Sequence, residues 1–150
     1  MINKIITLFI FLLLTSCEYT PIYSSKNFDL DLRSIINQKN DRLHSNINKR
    51  LKNFSNKKSQ KKIHLVIDAK KIISTLSKDT KGDPSRYEMI ISINLEIKYD
   101  ENKSLITPFQ EKFNYNTNSN KFELNQYEKE IENLLIDKII ENIIIYLSKI

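Results

Sequence analysis

The chain has one cysteine, one glycine and two histidines in 150 residues, and each scarcity removes a class of chemistry. One thiol forms no internal disulfide, and no Cys/His cluster has the spacing of metal ligands, so neither a redox framework nor a zinc site is available. A lone glycine does not build a phosphate-binding loop. No serine has the setting of an activated nucleophile, and there is no second cysteine. His44 lies beside the apolar stripe of a charged helix and His64 alternates outward on a strand, so both are expected at the surface rather than as general bases. The carboxylates are scattered over polar faces without a recognisable pair. The sequence therefore predicts a non-enzymatic protein, with no catalytic residue, no cofactor and no metal.

What is present begins with charge. There are 24 Lys+Arg against 18 Asp+Glu, a net charge of +6. A basic excess favours nucleic acid, anionic lipid or an acidic partner, because each gains from a positive potential. Much of the lysine sits among asparagine and isoleucine throughout the chain, so a general compositional bias accounts for a good part of the excess.

The amino-terminal segment sets the compartment. Lys4 provides a positive n-region, and Ile5 to Leu14 form an apolar run broken only by Thr7. That run is about half the roughly 20 residues a membrane-spanning helix needs, and its pattern is that of a cleaved secretory signal. It is followed by Leu14-Thr15-Ser16-Cys17, which resembles the lipobox of bacterial lipoproteins. There the thiol is diacylated, the signal is cut before the cysteine, and the new amino group is acylated, typically with palmitate. Two or more acyl chains hold a protein stably on a bilayer where one does so only marginally, so Cys17 is expected to be a tether and not a nucleophile. Export excludes nucleic acid as a partner.

Periodicity organises the rest. Tyr19 to Ser25, with Pro21, reads as an extended segment. Phe28, Leu30 and Leu32 alternate with Asp29, Asp31 and Arg33, as in a strand with one wet face. Asp41 can cap a helix whose apolar stripe is Leu43, Ile47, Leu51 and Phe54. Ile63, Leu65, Ile67 and Ala69 alternate on a second strand, which the apolar Ile72, Ile73 and Leu76 prolong, with or without a bulge. Gly82, in Lys81-Gly82-Asp83-Pro84, then marks a hairpin turn. Tyr87, Met89, Ile91, Ile93, Leu95, Ile97 and Tyr99 share one face of a third strand. Leu105, Phe109, Phe113 and Tyr115 share a parity on a fourth, where Pro108 indicates an edge or a bulge. A last helix carries Tyr127, Ile131, Leu134, Leu135, Ile139, Ile143 and Tyr146 against a polar side with Glu128, Glu132, Asp137, Lys138 and Glu141. Extra isoleucines at 140, 144 and 145 widen its apolar face. The expected fold class is α+β: a two-layer sandwich with a four-stranded mixed sheet and two helices on one face, in the order β-α-β-β-β-α, the first two strands parallel.

Three groups of residues, in this order, carry a resemblance. Cys17-Glu18-Tyr19-Thr20-Pro21-Ile22-Tyr23 follows the lipobox, Gly82-Asp83-Pro84-Ser85-Arg86-Tyr87 opens the long strand, and Phe113-Asn114-Tyr115-Asn116 with Phe122-Glu123-Leu124-Asn125-Gln126-Tyr127 leads into the final helix. Together they resemble LptE, the outer-membrane lipopolysaccharide-assembly lipoprotein, in its alphaproteobacterial form. The resemblance implies a lipid-anchored protein on the periplasmic side of the outer membrane that plugs the LptD β-barrel, aids its assembly and contacts lipopolysaccharide. Glu18 departs from the pattern, because an acid directly after the lipidated cysteine disfavours sorting to the outer membrane. Of the basic residues around the hairpin at Gly82 (Lys70, Lys71, Lys78, Lys81 and Arg86), Lys81 and Arg86 are the candidate lipopolysaccharide contacts. The expected organisation is a signal peptide over 1–16, an anchor and extended tether over 17–26, and one domain over 27–150. An auxiliary lipoprotein of a lipid-trafficking ABC transporter is the competing reading, since that class also shows an early proline and tyrosine after its cysteine.

Overall fold

The computed structural model describes residues 29–37, 39, 41–100 and 103–150. The signal segment, Cys17, Glu18, the tether and Phe28 lie outside the described residues, as does the side chain of Tyr99. The elements run β1 (Asp31–Asn37), α1 (Arg42–Lys52), β2 (Lys62–Lys78), β3 (Pro84–Asp100), β4 (Lys103–Asn116) and α2 (Lys121–Leu147). The strands form one sheet in the order β1-β2-β3-β4, with β1 parallel to β2 and the other pairs antiparallel. Both helices cover one face, giving the two-layer α+β sandwich in the expected order.

Alternation decides which face that is. Ile63, Leu65 and Ile67 of β2 and Met89, Ile91, Ile93, Leu95 and Ile97 of β3 are buried, while Lys62, His64, Asn94 and Lys98 between them are exposed. Side chains that alternate across a strand can bury one set only if their partners do the same. The register supplies this by setting Leu65 opposite Ile97, Ile67 opposite Leu95 and Ile93 opposite Phe109. Each fully buried Leu or Ile contributes roughly 1.5–3 kcal/mol relative to exposure.

The helices complete the core. In α1 Asp41 accepts from the His44 amide at 2.9 Å, and Lys49, Arg50 and Lys52 fall in the last turn, where positive charge complements the helix dipole. Ile47 and Leu51 bury the expected stripe. In α2 Asn120 accepts from the amides of Phe122 and Glu123, and its own side-chain amide donates to Glu123 at 2.9 Å, a reciprocal cap. Arg50 joins the helices at the surface: it pairs with Asp137 and donates to the Asn133 side chain at 2.8 Å.

Three expectations are corrected. The first strand runs from Asp31 to Asn37, beyond Arg33; an irregularity between Leu32 and Ser34 resets its phase, so Leu30 and Leu32 are buried while Ile36 is exposed. On α2 Ile131, Leu135, Ile139 and Ile143 of the expected stripe are buried, with Ile140 and Ile144 beside them, but Ile136 is inside as well, and Leu134 and Tyr127 are exposed. Glu132, expected on the polar side, is buried. The cause of the last two is common, since a helix with apolar residues on most sides leaves its rotation to the packing partner. Pro108, by contrast, stands on β4, an edge strand of the sheet, as its missing amide proton requires.

Candidate functional site

The end of the sheet beyond β1 is where unusual groups gather. β1 stops at Asn37, opposite Ile67, but β2 continues to Lys78, so from Asp68 onward β3 is its only strand neighbour among the described residues. His44 occupies the position at which the lost strand would have continued. Its Nε2 accepts the backbone N–H of Ala69 at 3.0 Å, and its Nδ1 lies 2.7 Å from the Asp41 carboxylate. A backbone N–H donor at Nε2 and a carboxylate at Nδ1 place the ring proton on Nδ1. The expectation of a surface histidine is therefore wrong: His44 is fully buried, because an otherwise unpaired amide of the sheet needs an acceptor. The spacing Asp41-x-x-His44 was the one sequence signal for it. The cap's bonds to His44, through its amide and then its ring, hold the Asp41 carboxyl below its ordinary 3.8.

Above His44 the helical cover parts. A cleft of about 440 Å³ opens between the start of α1, β2 and the first half of α2, lined by Arg42, Leu43, Lys71, Lys129 and Glu132 among others. Lys71 points into the core side of the sheet and meets Glu132 at 2.5 Å, which explains how that carboxylate is tolerated inside. Glu128, also on the wall, accepts from the Tyr115 hydroxyl at 2.7 Å. Burial and this hydrogen bond to a carboxylate both push the Tyr115 phenol well above its ordinary 10.0. Tyr115 also packs against Tyr87, with ring centroids 5.6 Å apart, and edge-on to Tyr127 at 6.2 Å.

The β2–β3 hairpin tip carries the basic residues singled out from the sequence. Asp79 organises the turn: its carboxylate accepts from the amides of Lys81 at 2.8 Å and Asp83 at 2.9 Å. Gly82 takes φ +89°, a conformation side chains resist. Lys81 is exposed in this turn, and Arg86 is exposed on β3 opposite Ser77 and Asn116. Neither makes an ion pair among the described residues. The five cations do not form one patch, however. Lys71 turns to the core side and is committed to Glu132, while Lys70 and Arg86 share the opposite face of the sheet. Cys17 lies outside the described residues. His64 is exposed, as expected. No set of three metal-ligating side chains converges among the described residues, and none of their helices is long and apolar enough to cross a membrane.

Known proteins resemble this chain in shape rather than in sequence. No family model and no curated protein matches its sequence. Among solved structures, rare lipoprotein B from Shewanella oneidensis superposes with a TM-score of 0.55 at 15% identity, over 80% of this chain and 96% of that one. A minor lipoprotein from Acinetobacter baumannii gives 0.59 at 12%, over 81% and 92%. An uncharacterized lipoprotein B from Nitrosomonas europaea gives 0.57 at 13%, over 78% and 80%. The chain thus has the rare lipoprotein B fold, the LptE-like arrangement that the sequence resembles.

Proposed function

We propose that the chain is a non-enzymatic outer-membrane lipoprotein, anchored through acylated Cys17 on the periplasmic side. In this reading it assembles with an LptD-type β-barrel as its plug and assists lipopolysaccharide transport to the surface. The observation that carries it is the coincidence of a lipobox-like segment ending at Cys17 with a domain whose structural neighbours are lipoproteins over nearly their whole length. A two-layer domain with one polar sheet face and a basic hairpin tip, without converging catalytic groups among the described residues, suits packing and lipid contact better than turnover.

Extraction of the full-length protein from its own membranes in mild detergent tests this directly. Co-purification with a large outer-membrane barrel is the expected result; a monodisperse monomer would count against it, and crosslinking in cells to periplasmic transporter components would favour the ABC-transporter reading. For the lipid contact, Lys81 and Arg86 are the proposed cations, since both are exposed at the tip and make no ion pair among the described residues. Replacing both with alanine should weaken lipopolysaccharide binding several-fold and flatten its salt dependence, as measured by titration at two ionic strengths. Unchanged binding would remove them from the contact.

A further inference from the structure

We propose that the free edge of β2 between Lys71 and Thr75 is a docking site for an extended, acidic segment of a partner protein, which pairs with it as an added strand in line with β1.

The direction of the backbone groups comes first. Residues of a strand present both N–H and C=O to alternate sides. The Ala69 amide reaches His44 on the β1 side, and the Lys61 carbonyl receives the Asp31 amide on that same side. Lys71, Ile73 and Thr75 share this parity, so their donors and acceptors face the place β1 has vacated. No side chain among the described residues meets their amides as His44 meets that of Ala69. Three residues so placed offer about six hydrogen-bonding groups to an extended chain, and to little else. The stretch ends where the register shifts between Thr75 and Ser77.

The other edge of the sheet is built differently. On β4 the Thr117 amide reaches the Ser85 carbonyl, so residues of odd number face β3 and those of even number face outward. Pro108 is one of the latter, and it removes a donor from the middle of that edge. The β2 edge has no such interruption.

Charge selects the occupant. A strand laid along this edge would turn alternate side chains into the cleft beside Lys71. There Glu132 is engaged by Lys71 and Glu128 by Tyr115, whereas Arg42 and Lys129 make no ion pair among the described residues. Acidic side chains on the incoming strand find two available cations, and Ile73, exposed on the same stretch, offers apolar contact. A second copy of this stretch, Lys71-Ile72-Ile73-Ser74-Thr75, would bring no carboxylate to those cations.

The test uses the full chain in detergent and a labelled octapeptide of alternating glutamate and valine, followed by fluorescence anisotropy. Binding is expected, with affinity at least tenfold above that of the alternating lysine and valine peptide and of a glutamate–valine peptide N-methylated at alternate amides. Ile73→Pro, which deletes an outward amide, should lower affinity at least tenfold, while Ile73→Val should not. Amide exchange should slow at Lys71, Ile73 and Thr75 and stay unchanged along β4. No binding, equal binding of the N-methylated peptide, or protection on β4 instead would overturn the proposal. The N-methylated peptide decides the matter even if the proline variant fails to fold.

Discussion

His44 shows how one side chain can substitute for a strand. Where β1 ends, the Ala69 amide would be buried without an acceptor, and the imidazole supplies one while its other nitrogen is held by the helix cap Asp41. His44→Ala removes a fully buried ring and orphans that amide, so a loss of about 2–4 kcal/mol is expected in denaturant unfolding. The Asp41 carboxyl titrates below its unfolded value of 3.8, so its contribution is complete above about pH 4 and is lost as pH falls through the depressed value. Asp41→Asn should accordingly flatten the acid limb of the stability curve. Tyr115 carries the opposite sign. Its folded-state proton is held above the ordinary 10.0, so the stabilisation is present below about pH 10 and is lost as pH rises further. Tyr115→Phe should cost about 1 kcal/mol near neutrality and lose less stability than the parent between about pH 10 and 12, followed by thermal unfolding.

At the scale of elements, the hairpin β2–β3 carries most of what distinguishes the domain. Its turn depends on Asp79 as acceptor for two amides and on Gly82 in the left-handed region, with open space around the position a Cβ would take. Gly82→Ala therefore meets only backbone strain: a loss of about 1 kcal/mol is expected, with the fold and the Lys81 exposure retained, as circular dichroism and thermal unfolding would show. Of this hairpin, alternation placed the buried face, and Gly82-Asp83-Pro84 placed the turn. The ion pair of Lys71 with Glu132 was not legible, because its partners are on elements far apart in sequence and only the packing brings them together. That Ile136 lies inside and Leu134 outside was not legible either: with isoleucines at 136, 139, 140, 143 and 144, spacing alone allows several buried stripes.

For the whole molecule, two layers suffice. The helices use up one face of the sheet, and the other face, the hairpin tip and the free stretch of β2 are left for partners. If the domain works as proposed, Cys17 is its covalent attachment to the membrane, beside the hold of the barrel. Cys17→Ser should abolish incorporation of labelled palmitate and leave residues 1–16 attached, as fluorography and intact mass would show; labelling that persists would argue against anchoring at this residue.

The sequence by itself determined the element order, the buried faces of β2 and β3, the restriction of Pro108 to an edge or a bulge, and the expectation of a lipid anchor. All of these follow from local pattern: a period of two, a helical stripe, a residue that cannot donate, a short apolar leader before a cysteine. Tertiary structure alone decided that His44 is buried, that Glu132 can lie inside, and that β2 outruns β1 to leave a free edge. Those depend on which groups meet across the fold. Burying a polar group costs free energy until a partner appears, and the partner's identity is a property of the packed chain, not of its sequence neighbourhood.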